Sequence, residues 1–208
     1  TVISWVLPQT SSTKEIHRES KKIPPENWIR SRIFGEKTNV ALREKTAEVL
    51  NQAGYPALAP TLTSEWKIKR SEQFWLASKW SERHAAHAAG LGTFGLCDGL
   101  ITPVGKAIRT GSVVAKIDII ATERPYSDHR AYCLFFTDKA CGDCIKRCPA
   151  GALTKKGLHN KEKCNDYIQN TVAVHTKENF GFPGRGGCGL CQTGVPCESK
   201  IPELSDLE

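Results

Sequence analysis

The chain has 208 residues, 39% of them apolar and 25% charged, with a formal charge of +7. These values suit one large globular domain, or a domain plus a smaller module, and exclude a disordered or collagen-like chain. No apolar run approaches the ~20 residues that span a bilayer. Thr1-Val-Ile-Ser-Trp-Val-Leu7 reads as a strand rather than a secretory leader. No membrane partner is therefore expected, and the location expected is cytoplasmic.

In chain order, the opening strand stops at Pro8, and residues 9–22 are polar loop or short helix. Pro25-Glu26-Asn27-Trp28 starts a helix with proline at its first turn. Trp28, Ile29, Ile33, Val40, Leu42, Ala47, Val49 and Leu50 continue it, with a break expected at Gly35 and a stop at Gly54. Tyr55–Pro60 is extended. Residues 61–80 hold Trp66, Phe74, Trp75 and Trp80 among polar residues and read as irregular. Their aromatic rings either pack on the core or line a site for a flat cofactor or substrate.

Trp80–Gly90 is a compact helix that Ser81 can cap and Gly90 can end. It places His84 and His87 on one face. No third ligand stands at zinc-motif spacing, so the pair reads as polar lining. Gly90-Leu-Gly92-Thr-Phe-Gly95 follows a helix and leads into a strand. That is the reverse of the dinucleotide fingerprint, so NAD is not expected. Gly111–Ile120 is β-branched and strand-like.

Nine cysteines are present, and eight of them lie between residues 133 and 197. Odd in number and crowded at one end, they do not form a disulfide framework. Cys141-Gly-Asp-Cys144-Ile-Lys-Arg-Cys148-Pro149 is the core of an iron–sulfur run. A C-x2-C turn reaches one cluster, and the cysteine before proline reaches the next. The usual preceding ligand would fall at position 138, which is Asp138, so Cys133 takes that place through a longer loop. Cys164 lies in a short helix. Gly184–Cys197 supplies a glycine-rich second C-x2-C step and a final cysteine. Ferredoxin logic pairs Cys133, Cys141, Cys144 and Cys197 around one [4Fe–4S] cluster and Cys148, Cys164, Cys188 and Cys191 around another. The alternative swaps Cys148 and Cys197. Zinc tolerates the same spacing, but the Cys-Pro-Ala-Gly-Ala continuation favours iron. Two oxidised clusters on eight thiolates would bring the formal charge to about +3, which gives little reason to expect nucleic acid. Cys97 falls outside the set and reads as a small buried residue.

Glu82–Gly95, Gly99-Leu-Ile-Thr-Pro103-Val-Gly105 and Arg109-Thr-Gly-Ser-Val-Val, followed by Cys141–Pro149, together resemble epoxyqueuosine reductases and reductive dehalogenases. The resemblance covers roughly residues 80–197. It implies an α+β fold, with a nitroreductase-like α/β domain over 1–130 and a ferredoxin-like two-cluster module over 131–208. It also implies cobalamin between them, with Gly90, Gly92 and Gly95 beside the corrinoid through their backbones and His84 and His87 nearby. No proton-donating acid or tyrosine of that family has a match here. No counterpart of the tRNA-reading repeats follows Cys197, and no twin-arginine signal is seen. Neither epoxyqueuosine nor an organohalide is therefore expected as substrate. The function expected is electron relay from a donor such as ferredoxin or flavodoxin, through two clusters, to a cofactor or substrate. The alternatives are a non-catalytic electron-transfer protein serving a partner enzyme, and a zinc-stabilised binding protein.

Overall fold

A computed structural model describes residues 1–72, 75–182 and 186–207. Phe74 and Gly184, named above, lie outside the described residues. The first strand, β1 (Val2–Pro8), is followed by α1 (Ser11–Glu19), α2 (Glu26–Gln52) and β2 (Ala57–Leu58). A hairpin, β3 (Ile68–Ser71) and β4 (Trp75–Ser78), leads to α3 (Glu82–Ala88). Then come β5 (Thr93–Phe94), β6 (Leu100–Ile101) and β7 (Ile108–Ala115). The remainder is helical: α4 (Leu134–Thr137), α5 (Asp143–Lys146), α6 (Lys161–Tyr167) and α7 (Ala173–Phe180). A π turn at Ile168–Val172 joins the last two. The fold is α+β, and among the described residues no helix is long and apolar enough to cross a membrane.

The sheet runs β1-β7-β2, antiparallel throughout. Pro8 pairs with Ile108 at the end of the outer strand, where its missing N–H leaves no central ladder bond unmade. Helix α2 packs across β7. Gly111 makes this possible, because a Cβ there would stand 2.5 Å from Asn39 Oδ1 and 2.6 Å from the Trp5 ring. Asn39 is fully buried, and its amide bonds at both ends. It accepts from Trp5 Nε1 at 2.9 Å and donates to the Thr110 carbonyl at 2.9 Å.

Three sequence expectations are corrected. Helix α2 runs unbroken through Gly35. A mid-helix glycine costs only about 1 kcal/mol, and here its bare face admits the Arg109 side chain, 3.3 Å from where a Cβ would be. Within 61–80 the chain forms the β3–β4 hairpin rather than an irregular segment. The strand expected to reach Ile120 ends at Ala115, where its partners Thr1 and Ala57 run out, and Ile120 is left 99% exposed. Within residues 9–22 the chain forms α1, whose N-cap Thr10 accepts from the Thr13 amide. Gly90 does end α3, with φ of +86°, but Ser81 bonds the His84 ring rather than capping a backbone N–H.

Two core clusters cross the chain. One joins Leu96, Cys97 and Ile101 to Cys133, Cys144, Leu153, Val195 and Cys197. The other joins Trp28 and Ile29 of α2 to Val172, with Cys188 packed against it.

Candidate metal centre

The first group of thiols surrounds a small pocket with a cavity volume of about 20 Å3. Cys133, Cys141, Cys144 and Cys197 all line it. Local structure presents each one. Cys133 is the N-cap of α4, and its carbonyl accepts from the Phe136 and Thr137 amides at 2.8 and 3.1 Å. Cys144 rides on α5, which begins at Gly142. Cys197 lies in a tight turn held by the chain entering β7: Lys106 N donates to the Cys197 carbonyl at 2.9 Å. Gly105, at φ of +82°, lets that chain close on the turn, since a Cβ would meet the Glu198 carbonyl at 2.1 Å. Leu96, Leu134, Phe135 and Val195 wall the pocket and keep water out.

The backbone contact with Cys197 carries the Lys106 side chain in among the sulfurs, where it is 2% exposed. Its Nζ donates to Cys97 Sγ at 3.5 Å. Burial disfavours the ammonium, but Cys97, Cys197, Cys144 and Cys191 outweigh it and hold its pKa well above the usual lysine range. A hydrogen bond from Cys191, together with Lys106, draws the Cys97 thiol well below its usual value despite burial. The Cys191 thiol is pushed well up by that same bond and by burial. Burial pushes Cys144 to about 12, with Lys106 pulling the other way. Cys97 is buried, as expected, and lies against Cys191 and Lys106 without lining the first pocket. Lys106 was not singled out in the sequence, where nothing local marks it. Its position follows from the Cys197 turn, far along the chain.

A second group forms around Cys188. Burial raises its thiol to about 11, and Cys164 and Cys148 are close enough to add to the rise. The Ala152 amide donates to Cys148 Sγ at 3.4 Å, so that sulfur already holds a backbone N–H. Cys164 opens onto His159. Burial works against the imidazolium there, but hydrogen bonds to Asp98 and Cys164 raise its pKa to about 9. Cys191, expected in this group, lies between the two, near both Cys188 and Cys97. The turn from Cys188 lies flat on α2: a Cβ on Gly189, at φ of +68°, would stand 2.2 Å from the Trp28 ring. On the same indole, His17 stacks at 3.8 Å and 3°. Trp28 Nε1 is a buried donor with no hydrogen-bond partner.

Among the described residues, no three His, Cys, Asp or Glu side chains are grouped to hold a metal ion. Cys133, Cys141, Cys144 and Cys197 line one pocket without converging on a single point, whereas one tetrahedral zinc would need four donors converged on it. The donor set, the dry walls and the unmade indole N–H all fit a thiolate-held cluster.

Behind Lys106 opens a cleft with a volume of about 650 Å3. Lys106 lines both it and the thiol pocket. Arg32, Arg43 and Arg109 reach the cleft from α2 and β7, Arg83 from α3, and Trp66 and Trp80 from the segment around the hairpin. Gly90, Gly92, Gly95, His84 and His87 are not among its lining residues. Gly92 faces β6, where a Cβ would meet the Ile101 carbonyl at 2.1 Å. The His87 ring hydrogen-bonds the Gly92 carbonyl at 2.8 Å and stacks on Tyr126, while His84 packs on Phe94.

No protein-family model matches the chain, and no curated protein does. Among solved structures it is similar to epoxyqueuosine reductase from Bacillus subtilis, with a TM-score of 0.46 and 20% identity over 80% of this chain. The match spans 40% of that protein's length.

Proposed function

We propose that the chain is an iron–sulfur oxidoreductase. It would carry two [4Fe–4S] clusters and pass single electrons from a ferredoxin or flavodoxin donor to a cofactor or substrate held by the α/β part. One observation carries this reading: Cys133, Cys141, Cys144 and Cys197 line a single apolar pocket whose back wall, Lys106, is also the wall of a cleft large enough for a ligand. Those four would hold one cluster, and Cys148, Cys164, Cys188 and Cys191 the other. When bound, the clusters supply reversible one-electron transfer.

The chain's own residues do the rest. Leu96, Leu134, Phe135 and Val195 exclude water from the first pocket. The Ala152 N–H fixes the Cys148 sulfur. The Lys106 ammonium offsets negative charge among the thiolates. A reducing cytoplasm suits free thiols of this number. The corrinoid implied by the sequence resemblance is one acceptor, and the assay below tests it.

Anaerobic purification followed by iron, sulfide, zinc and cobalt analysis decides the reading. The expected result is about eight irons and eight sulfides per chain. Stoichiometric zinc without iron would overturn it. Adding cobalamin to the reduced protein tests the corrinoid: an unchanged spectrum and no retained cobalt remove that acceptor and leave the clusters in place.

A further inference from the structure

The cleft behind Lys106 is lined by more positive than negative charge. Its two carboxylates are already committed. Glu36 accepts from Arg43 at 2.9 Å and from Arg109 at 2.5 Å. Glu82 pairs with Arg43 Nε at 3.1 Å and accepts from Ser112 Oγ at 2.6 Å. Among the described residues, Arg32 and Arg83 have no ion-pair partner. Among the described residues, Arg32 donates to the Gly186 carbonyl, at 3.3 Å, and Arg83 to the Asp98 carbonyl. Burial chiefly, with the neighbouring Arg109 and Arg83 guanidiniums adding to it, holds the Arg32 pKa down to about 10. Gln192 adds a buried side-chain oxygen with no hydrogen-bond partner.

The aromatic lining has one orientation fixed by its polar ends. Trp66 Nε1 donates to the Trp80 carbonyl at 3.0 Å, and Trp80 Nε1 donates to Ser112 Oγ at 3.0 Å. With both indole N–H groups bonded inside the protein, what Trp66 and Trp80 offer the cleft is ring surface.

We infer that this cleft binds a phosphate-bearing ligand of nucleotide size, with Arg32 and Arg83 holding the phosphate and Trp66 and Trp80 receiving a flat ring. A guanidinium fork pairs with carboxylate and phosphate oxygens alike, but two guanidiniums without ion-pair partners in one cleft match a group with up to two negative charges and three acceptor oxygens, which favours phosphate over a single carboxylate. The inference deepens the proposed function by naming the class of molecule beside the clusters. It rests on that reading for the electron transfer, while the binding itself does not need iron.

The test titrates AMP, flavin mononucleotide and pyridoxal 5′-phosphate into the purified chain, each against its phosphate-free partner: adenosine, riboflavin and pyridoxal. Calorimetry gives affinity, tryptophan fluorescence reports ring contact, and iron content is measured on the same sample. At least one phosphate should bind about tenfold or more tightly than its partner. Inorganic phosphate should compete, Arg83→Gln should remove about tenfold of the affinity, and Trp80→Phe should remove most of the quenching. Arg83 is at the exposed edge of the cleft, so its variant keeps the fold; Arg32→Gln is read only where circular dichroism matches the parent. Equal affinity for all three pairs overturns the inference, as does phosphate preference unchanged in both arginine variants. Phosphate-dependent binding to a chain without iron supports the inference and removes the redox reading. An iron-loaded chain that shows no preference does the reverse.

Discussion

Lys106 Nζ stands 3.5 Å from Cys97 Sγ, in a position where neither side chain meets bulk water. The pair lies where the thiol pocket and the cleft share a wall, so the charge on Lys106 acts on whatever occupies either side. Its removal should show first in redox properties. Lys106→Met keeps the stem and deletes the charge, which favours the oxidised, less negative form of a neighbouring cluster. Its reduction potential should fall by tens of millivolts to about 100 mV, read in an EPR-monitored redox titration, and Lys106→Arg should restore most of it. A potential unchanged in Lys106→Met would show that the ammonium does not face a cluster.

The two thiol groups should fail separately. Cys144→Ser removes a sulfur from the first pocket and should bring iron from about eight to about four per chain. Cys188→Ser should do the same at the second group while sparing the first. Cys97→Ser should leave the iron count unchanged, because its sulfur is occupied by Lys106 and Cys191. A loss of iron in Cys97→Ser would make it a ligand in place of Cys191.

Gly189 is the contact point between the second cysteine turn and α2. Gly189→Ala adds a methyl 2.2 Å from the Trp28 ring at a φ of +68°. Strain and overlap together should cost about 2 kcal/mol or more, seen as a lower denaturation midpoint and faster loss of iron. Gly151→Ala, also at positive φ but with open space around it, separates the strain from the overlap and should cost about 1 kcal/mol.

His17 gives the fold a pH dependence. Burial on Trp28 lowers its pKa from 6.5 to about 4. Between those values the unfolded chain binds the proton and the folded chain does not, so stability rises with pH across that window. The contribution is complete above pH ~6.5 and is lost as pH falls towards 4, with a total of about 3 kcal/mol. Urea midpoints measured at pH 7 and pH 5 should converge more in His17→Phe than in the parent. Acid loss of metal is common to both proteins and drops out of that comparison.

The short-range features were open to sequence reading. C-x2-C turns, the strand before Pro8 and the stop at Gly90 are all set within a few residues, and spacing reports them. What escaped was set by distant partners. Gly35 looks like a helix break until Arg109 is seen to fill the space its missing side chain leaves. Cys97 looks isolated because Cys191 approaches it only through the folded core. Lys106 looks like one of many surface lysines because its burial depends on the Cys197 carbonyl bonding its own amide. The hairpin at 68–78 was hidden because its strands carry few buried residues to make an alternating pattern.

The sandwich of His17, Trp28 and Gly189 also fixes a sequence of events during synthesis. His17 and Cys188 lie 171 residues apart, yet share a hydrogen bond across the edge of the indole. At ribosomal rates of 5–20 residues per second, roughly ten to thirty seconds pass between the emergence of the two. For that interval the indole of α2 lacks the cover of the Gly189 turn, and the apolar face left open is of the kind that chaperones hold and that aggregating chains share. The last glycine-rich turn shields it, and the same turn brings in Cys188 and Cys191, so covering the indole and placing those two thiols are one event.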